Sequence, residues 1–153
     1  MAVEHLLDLK GRSVGKGLIV IAASLEQLEP FVDLSDPLVR QRVSASWPGP
    51  VTCLLPKAKG VPPWLSGEHG LLAARVTAHP IAAGLCRRCG PVVSTSANPQ
   101  GRQPALNPLR LRFYFADSID YVLPGTLGGL RGPTEIRDGL SGRIVRPSAG
   151  QKP

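Results

Sequence analysis

The chain has 153 residues, of which 18 are basic and 11 acidic, so its formal net charge is +7. Its hydrophobic content of 42% is too high for a disordered tail and sufficient for a domain with its own core. No apolar run reaches the roughly 18 residues of a membrane span, and Glu4 and Asp8 interrupt the first apolar stretch, which is untypical of a secretory signal. We therefore expect a single basic, loop-rich domain in the cytoplasm.

The apolar pattern along the chain predicts alternating helices and strands. Helices are predicted over 2–9, from Ser24, over 35–46, over 81–89 and over 109–116; strands are predicted over 18–23, 51–55, 71–77, 92–95, 121–123, 134–137 and 143–145. The run 18–23 is wholly apolar, as expected for a central strand covered on both faces. Alternation of this kind is typical of the α/β class, here a single-domain twisted mixed sheet flanked by helices.

Three cations fall in one glycine-containing loop between the first helix and the first strand, at Lys10, Arg12 and Lys16. Two unit charges ~4 Å apart repel by roughly 4 kcal/mol at an effective dielectric near 20, so an anion among them would replace repulsion by attraction. Glycine N–H groups can also approach a phosphate closely. The alternative is an ordinary exposed helix C-terminus, where cations favour the helix dipole.

Polar side chains follow the predicted strand 92–95 in the segment Ser94-Thr95-Ser96-Ala97-Asn98. Ligands of α/β sheets bind at the carboxyl ends of strands, and hydroxyls and amides can bind a sugar, an amino-acid hydroxyl or a phosphate. The alternative is a turn in which these side chains satisfy local backbone groups. Both interpretations remain open.

Arg75 lies within an apolar strand, where a guanidinium needs a carboxylate or a ligand as partner. A structural ion pair is the alternative to a ligand. The cysteines are odd in number, which argues against a disulfide framework. Cys86 and Cys89 have zinc-like or redox-like spacing, but a structural zinc site would need two more ligands. We expect this pair on the last turn of a helix and predict no metal site.

Five short motifs follow one another along the chain: KxR at 10–12, WPGPVT at 47–52, ARVTAHP at 74–80, VSTSAN at 93–98 and PTEIRD at 133–138. Their composition and order resemble the YrdC/TsaC family of threonylcarbamoyl-AMP synthases. The resemblance extends from about residue 2 to residue 147. It implies a YrdC-like fold, a twisted mixed sheet around a large basic cleft.

The resemblance also implies an activity, that of a nucleotidyltransferase. L-threonine, bicarbonate (or CO2) and ATP give threonylcarbamoyl-AMP and pyrophosphate, and Mg²⁺ is implied with ATP. The product serves the formation of N6-threonylcarbamoyladenosine in tRNAs that read codons starting with A. The implied partners are therefore tRNA and the tRNA threonylcarbamoyl-transferase complex, and no membrane is implied.

The family's functional residues can be carried over position by position. The catalytic tetrad falls on Lys10, Arg12, Ser96 and Asn98. The ATP contacts fall on Arg12, Lys16, Ser96 and Arg146, and the threonine contacts fall on Arg75 and Ser94. In the implied reaction a carbamate oxygen attacks the α-phosphorus of ATP, and the cations offset the repulsion among the anions.

The chain departs from the family pattern at its N-terminus. The family has an additional N-terminal segment, with a strand and a Pro-Thr-(Glu/Asp)-x-x-x-Gly-Leu loop that forms one wall of the site, and no such run occurs here. We therefore expect residues 1–153 to be an N-terminally incomplete YrdC-like domain. The alternatives are a catalytically inactive RNA-binding accessory protein and a module of a larger maturation enzyme; the second is disfavoured because acylphosphatase-like and zinc-finger segments are missing from the sequence.

Overall fold

The computed structural model describes residues 2–130 and 132–148. The helices are α1 (Ala2–Lys10), α2 (Pro37–Ser46), α3 (Pro63–Ser66), α4 (Pro80–Cys89) and α5 (Pro108–Phe115). The strands are β1 (Ile19–Ala22), β2 (Val51–Pro56), β3 (Leu71–Val76), β4 (Val92–Ser94), β5 (Glu135–Asp138) and β6 (Ile144–Arg146). Short 3-10 turns cover Val14–Lys16 and Ala116–Ser118. None of the described helices is long and apolar enough to cross a membrane.

The described strands form one mixed sheet in the order β4-β1-β3-β2-β5-β6. Two pairs are parallel, β1 with β3 and β2 with β5, and the other three pairs are antiparallel. In this register Ile21 lies opposite Arg75, and Cys53 lies opposite Ala74. The prediction of a single mixed α/β sheet with helices is confirmed.

The sheet has one face against the hydrophobic core and one face away from it, as the residues of β3 show. Its residues alternate in burial, because successive side chains of a strand point to opposite faces. Leu72, Ala74 and Val76 are buried in the hydrophobic core, whereas Ala73 and Arg75 are half-buried on the other face. The core also receives buried side chains from the first three helices: Leu7 of α1, Val39 and Val43 of α2, and Leu65 of α3.

Three helices begin with the same local signal, a polar capping residue followed by proline at the first helical position. The pairs are Asp36-Pro37, His79-Pro80 and Asn107-Pro108, and each capping side chain accepts a hydrogen bond from a backbone N–H of the first turn. Such caps satisfy donors that have no partner within the helix. They explain why α2, α4 and α5 begin close to where the sequence predicts.

Two predicted elements are wrong. The helix predicted from Ser24 is a series of turns, in which Gln27 accepts a hydrogen bond from Ala23 N at 2.9 Å and donates one to Cys86 O at 2.9 Å. Pro30 follows too closely for a helix to propagate beyond its costly first turn. The strand predicted over 121–123 is also not formed, since this segment is exposed and pairs with no described strand.

Candidate functional site

A cavity of about 1840 Å³ lies on the sheet face opposite the core. Its floor includes Ile21, Ala73 and Arg75, which share that face of the sheet. Small-molecule sites usually measure roughly 300–1,000 Å³. The cavity therefore has room for a nucleotide and a second small ligand together.

The cavity lining is strongly basic. It contains six arginine and lysine side chains: Arg12, Lys16, Arg75, Arg102, Arg110 and Arg146. Among the described residues that line it, none is aspartate or glutamate. A cleft lined by one sign of charge concentrates ligands of the opposite sign. The geometry therefore favours anions.

Six of the eight residues predicted from the family resemblance line this cavity: Arg12, Lys16, Arg75, Ser94, Ser96 and Arg146. They come from four separate parts of the chain, which are the loop after α1, strand β3, the end of β4 with the loop that follows it, and strand β6. The two others, Lys10 and Asn98, are not part of the lining. The structure thus brings six of the predicted residues together around one cavity and leaves Lys10 and Asn98 outside its lining.

Lys10 lies behind the cavity wall with only 6% of its surface exposed. Its Nζ donates hydrogen bonds to the backbone oxygen of Ser96 at 2.5 Å and to that of Asn98 at 2.7 Å. Its own backbone oxygen accepts from Gln100 N at 2.9 Å. Burial, with a smaller contribution from the charge of Arg12, lowers the pKa of Lys10. Lys10 therefore connects the end of α1 to the loop after β4.

Asn98 holds the same loop from within. Its Nδ2 donates to the backbone oxygens of Pro99 at 3.1 Å and Arg102 at 2.7 Å. Its Oδ1 is buried and has no partner. Asn98 therefore makes local hydrogen bonds of the kind expected in a turn, but its side-chain oxygen stays unsatisfied among the described residues. Ser96, in contrast, is exposed and lines the cavity.

Arg12 and Lys16 project from the glycine-containing loop into the cavity. Arg12 Nη2 donates to Gly17 O at 3.0 Å, but Arg12 Nε is buried without a partner. Lys16 is exposed, and its Nζ is 3.4 Å from Gln100 Oε1. An acceptor near Arg12 would therefore gain a donor that the protein leaves unused.

Arg75 has the same property at the cavity floor. Its Nε is buried without a partner, and it makes no salt bridge with any residue in the described part of the chain. Burial lowers the pKa of this guanidinium. A structural ion pair, the alternative interpretation of Arg75, is thus not what the described residues form.

The described lining of this cavity lacks the carboxylates that usually bind a magnesium ion. The residues that the structure describes contain no cluster of three or more His, Cys, Asp or Glu side chains. Magnesium sites usually use one or two carboxylates together with substrate phosphates, and the described lining offers none. The donor set therefore does not fit a resident Mg²⁺.

The cysteine pair lies at the end of α4, where the sequence predicts it. Cys86 is buried and its thiol donates a hydrogen bond to Ile21 O at 3.6 Å, whereas Cys89 is exposed.

The sequence did not single out several residues that line the cavity. Arg102 lies in an irregular loop without a local signal, and Arg110 of α5 lies with its guanidinium 5.8 Å from the ring centre of Tyr114. Thr134, in contrast, belongs to the PTEIRD motif and lies directly before β5. For Arg110 the available signal in the sequence is a second basic residue two positions further on, Arg112.

Several known proteins are similar to this chain in sequence. A protein named threonylcarbamoyl-AMP synthase from Cellvibrio japonicus is 53% identical over 148 residues, which are 96% of this chain and 78% of that protein. One of the same name from Nitrosococcus oceani is 52% identical over 146 residues, 95% of this chain and 79% of that protein. Both identities extend across nearly the whole chain.

Solved structures give the same fold. The crystal structure of P. abyssi Sua5 complexed with L-threonine matches with a TM-score of 0.86 and 28% identity over 96% of this chain; the chain spans 44% of that protein, less than half its length. E. coli YciO matches with a TM-score of 0.82 and 24% identity, over 98% of this chain and 74% of that one, which shows the fold alone. A family model described as "Telomere recombination" matches residues 1–148. The chain belongs to this family, that of the Sua5, YciO and YrdC proteins.

Proposed function

We propose that the protein is a threonylcarbamoyl-AMP synthase, a transferase that converts L-threonine, bicarbonate (or CO2) and ATP into threonylcarbamoyl-AMP and pyrophosphate. The observation that carries the proposal is the basic cavity, in which buried nitrogen atoms of Arg12 and Arg75 have no partner among the residues that the structure describes. Leaving such groups unpaired is costly, and an anionic ligand removes that cost. The relatives from C. japonicus and N. oceani bear the name of this activity.

Threonine would bind between Arg75 and Ser94. Ser94 pairs with Ile19, which pairs with Ala73, so Ser94 and Arg75 lie on one sheet face two strands apart. Two strand spacings, together with the two-residue offset from Ala73 to Arg75, put the Cα atoms of Ser94 and Arg75 about 12 Å apart. This leaves room for a small amino acid between the two side chains. The guanidinium of Arg75 would bind the carboxylate, and Ser94 would hydrogen-bond the hydroxyl or the carbamate. P. abyssi Sua5 has been crystallised with L-threonine.

ATP would occupy the more exposed part of the cavity. Arg12 and Lys16 on one side and Arg146 on the other would bind its phosphates, and Ser96 would donate a hydrogen bond to them. The described lining offers no carboxylate, so any Mg²⁺ would enter with the phosphates as part of the substrate rather than in a site of the protein.

The chemistry asks mainly for positioning. The amine of threonine takes up CO2 as a carbamate, a carbamate oxygen attacks the α-phosphorus of ATP, and pyrophosphate leaves. Carbamate, carboxylate and phosphates are all negative, so fixed cations in a preorganised site lower the barrier by offsetting their repulsion. In this proposal Arg12 and Ser96 touch the reacting groups. Lys10 and Asn98 support them by holding the loop that carries Ser96.

The product of the proposed reaction, threonylcarbamoyl-AMP, would be passed to a tRNA threonylcarbamoyl-transferase complex for tRNAs that read codons starting with A. The location in the cytoplasm stays a prediction from the sequence.

The experiment is an assay of pyrophosphate release that requires both threonine and bicarbonate. It is run with the chain as printed and with the same chain preceded by the N-terminal segment of the C. japonicus relative, because the family resemblance assigns one wall of the site to such a segment. Release that depends on both co-substrates is the expected result in at least the extended chain. Background release in both, together with salt-sensitive tRNA binding, would instead support the RNA-binding alternative.

Arg12→Ala should reduce this activity by about 100-fold or more in a folded protein, since one preorganised cationic donor is removed. The matched control is Arg40→Ala, because Arg40 is exposed and pairs with Glu29 at 3.3 Å outside the cavity. Wild-type turnover in Arg12→Ala would contradict the role of Arg12.

A further inference from the structure

Two of the sequence motifs meet at a pair of threonines, Thr52 and Thr134, to which the proposed reaction assigns no role. Thr52 ends the WPGPVT motif in β2, and Thr134 belongs to the PTEIRD motif directly before β5. Their Oγ1 atoms are 3.3 Å apart, and either hydroxyl can be the donor. Thr52 is fully buried and does not line the cavity, whereas Thr134 is half-buried and does.

Thr134 also holds Arg146. The Nη2 of Arg146 donates to the backbone oxygen of Thr134 at 2.9 Å. Arg146 lies on β6, an exposed three-residue edge strand that pairs with β5 through an irregular register between Ile136 and Arg137. Such a strand holds a long side chain weakly by itself, so the contact with Thr134 is what orients the guanidinium toward the cavity.

We propose that Thr52 is a positioning residue for ATP binding. Its hydroxyl holds Thr134, and the backbone oxygen of Thr134 holds the guanidinium of Arg146 where the phosphates bind. This inference rests on the proposed function, since it takes Arg146 as an ATP contact. Thr52 acts through Thr134, because its own side chain is fully buried and does not line the cavity.

The chemistry of the pair supports a role for the hydroxyl beyond packing. A buried hydroxyl is unfavourable unless it has a hydrogen-bond partner, and valine would fill the same space on a strand as well as threonine does. Strand β2 is an interior strand that pairs on both sides, with β3 and with β5. The hydroxyl of Thr52 therefore ties the start of β5 to the rigid centre of the sheet.

The test measures the ATP dissociation constant by calorimetry in a double-mutant cycle of Thr52→Val and Arg146→Ala. A neutral hydrogen bond contributes about 0.5–1.5 kcal/mol, so Thr52→Val should weaken ATP binding about twofold to tenfold. In the Arg146→Ala background the same change should have no further effect, because the group that it positions is gone. Thr52→Ser keeps the hydroxyl and should bind ATP as the wild type does.

Cys53→Ala is the matched control for lost stability, since Cys53 is the next residue on β2 but is buried on the core face. It should lower the melting temperature without weakening ATP binding. Equal affinity in Thr52→Val and wild type, additive effects with Arg146→Ala, or the same loss in Cys53→Ala would each overturn the inference and leave the proposed function standing. Failure of both the 153-residue chain and the N-terminally extended chain to bind ATP would overturn the inference and the proposed function together.

Discussion

The ammonium group of Lys10 lies 2.7 Å from the backbone oxygen of Asn98, 88 positions further along the chain. Together with the hydrogen bond to Ser96 O, this contact joins the end of α1 to the loop after β4. Two members of the tetrad implied by the family resemblance thus contact each other behind the cavity wall. The partners of the Lys10 ammonium group are backbone oxygen atoms, so Lys10 helps to determine where this loop lies.

Replacing Lys10 should change how stability depends on pH. Burial lowers the pKa of Lys10 from its ordinary value of 10.5, so the unfolded chain keeps this proton to a higher pH than the folded protein does. In the window between the two pKa values the unfolded state holds more protons, and the free energy of unfolding therefore rises with pH toward 10.5. In Lys10→Met that rise should be missing.

The measurement is urea unfolding at several pH values between about 8 and 10.5, with Lys59→Met as control because Lys59 is exposed. Hydrogen exchange of the backbone at 96–100 should also become faster in Lys10→Met only, since the loop loses two hydrogen bonds. An unchanged pH slope together with unchanged exchange would contradict the linking role of Lys10.

Replacing Arg75 by an apolar residue should make the protein more stable and at the same time abolish threonine binding. A half-buried guanidinium that forms no salt bridge within the described part of the chain is unfavourable, and an apolar side chain of similar length removes that cost. Arg75→Met should therefore raise the free energy of unfolding by about 1 kcal/mol and abolish stabilisation by threonine. Thermal melts with and without threonine measure both effects. Arg87→Met, an exposed position on α4, is the control; a destabilised Arg75→Met that still responds to threonine would refute the prediction.

Gly67 should be far less tolerant of substitution than Gly60. Both have a positive φ, +68° at Gly67 and +85° at Gly60, so both alanine variants carry backbone strain of about 1 kcal/mol. A Cβ at Gly60 has nothing within 4 Å, whereas one at Gly67 collides with Gly15 O and lies 2.5 Å from Gly17 N. Gly67→Ala should therefore cost about 3 kcal/mol in all.

The collision at Gly67 also bears on the site, because Gly17 O accepts the hydrogen bond from Arg12. ATP binding should weaken in Gly67→Ala and stay unchanged in Gly60→Ala. Urea unfolding and calorimetry measure the two effects. Equal stability losses in the two variants would show that the close approach of the two loops does not matter.

Of the three cysteines, the exposed Cys89 should react with a thiol reagent, whereas the buried Cys53 and Cys86 should be inert. Burial raises the pKa of Cys53 to about 11 and also raises the pKa of Cys86, so at neutral pH both remain protonated. A thiol reagent should label only Cys89 in the native protein and all three cysteines after denaturation. Cys89→Ser should abolish native labelling. Rapid native labelling of Cys86 would revive a redox role for the Cys86–Cys89 pair.

Much of the local structure could be predicted from the sequence because its causes are local. Capping residues followed by proline set the starts of α2, α4 and α5, and alternating burial in β3 follows from the period of a strand. The helix from Ser24 failed because Pro30 lies only a few residues ahead. The strand over 121–123 failed because a strand also needs a neighbour with which to pair, which a local pattern does not supply.

The motif order that resembles the family also predicted eight site positions from the sequence by itself, and six of them line one cavity. Only the tertiary structure decided where each of them lies and which groups it contacts. Lys10 turns away from the cavity because the backbone oxygens of Ser96 and Asn98 offer partners for a buried ammonium group. Thr52 reaches Thr134 because β2 and β5 are neighbours in the sheet. Such contacts join residues more than 80 positions apart, so they depend on strand order and register, which short-range patterns do not contain.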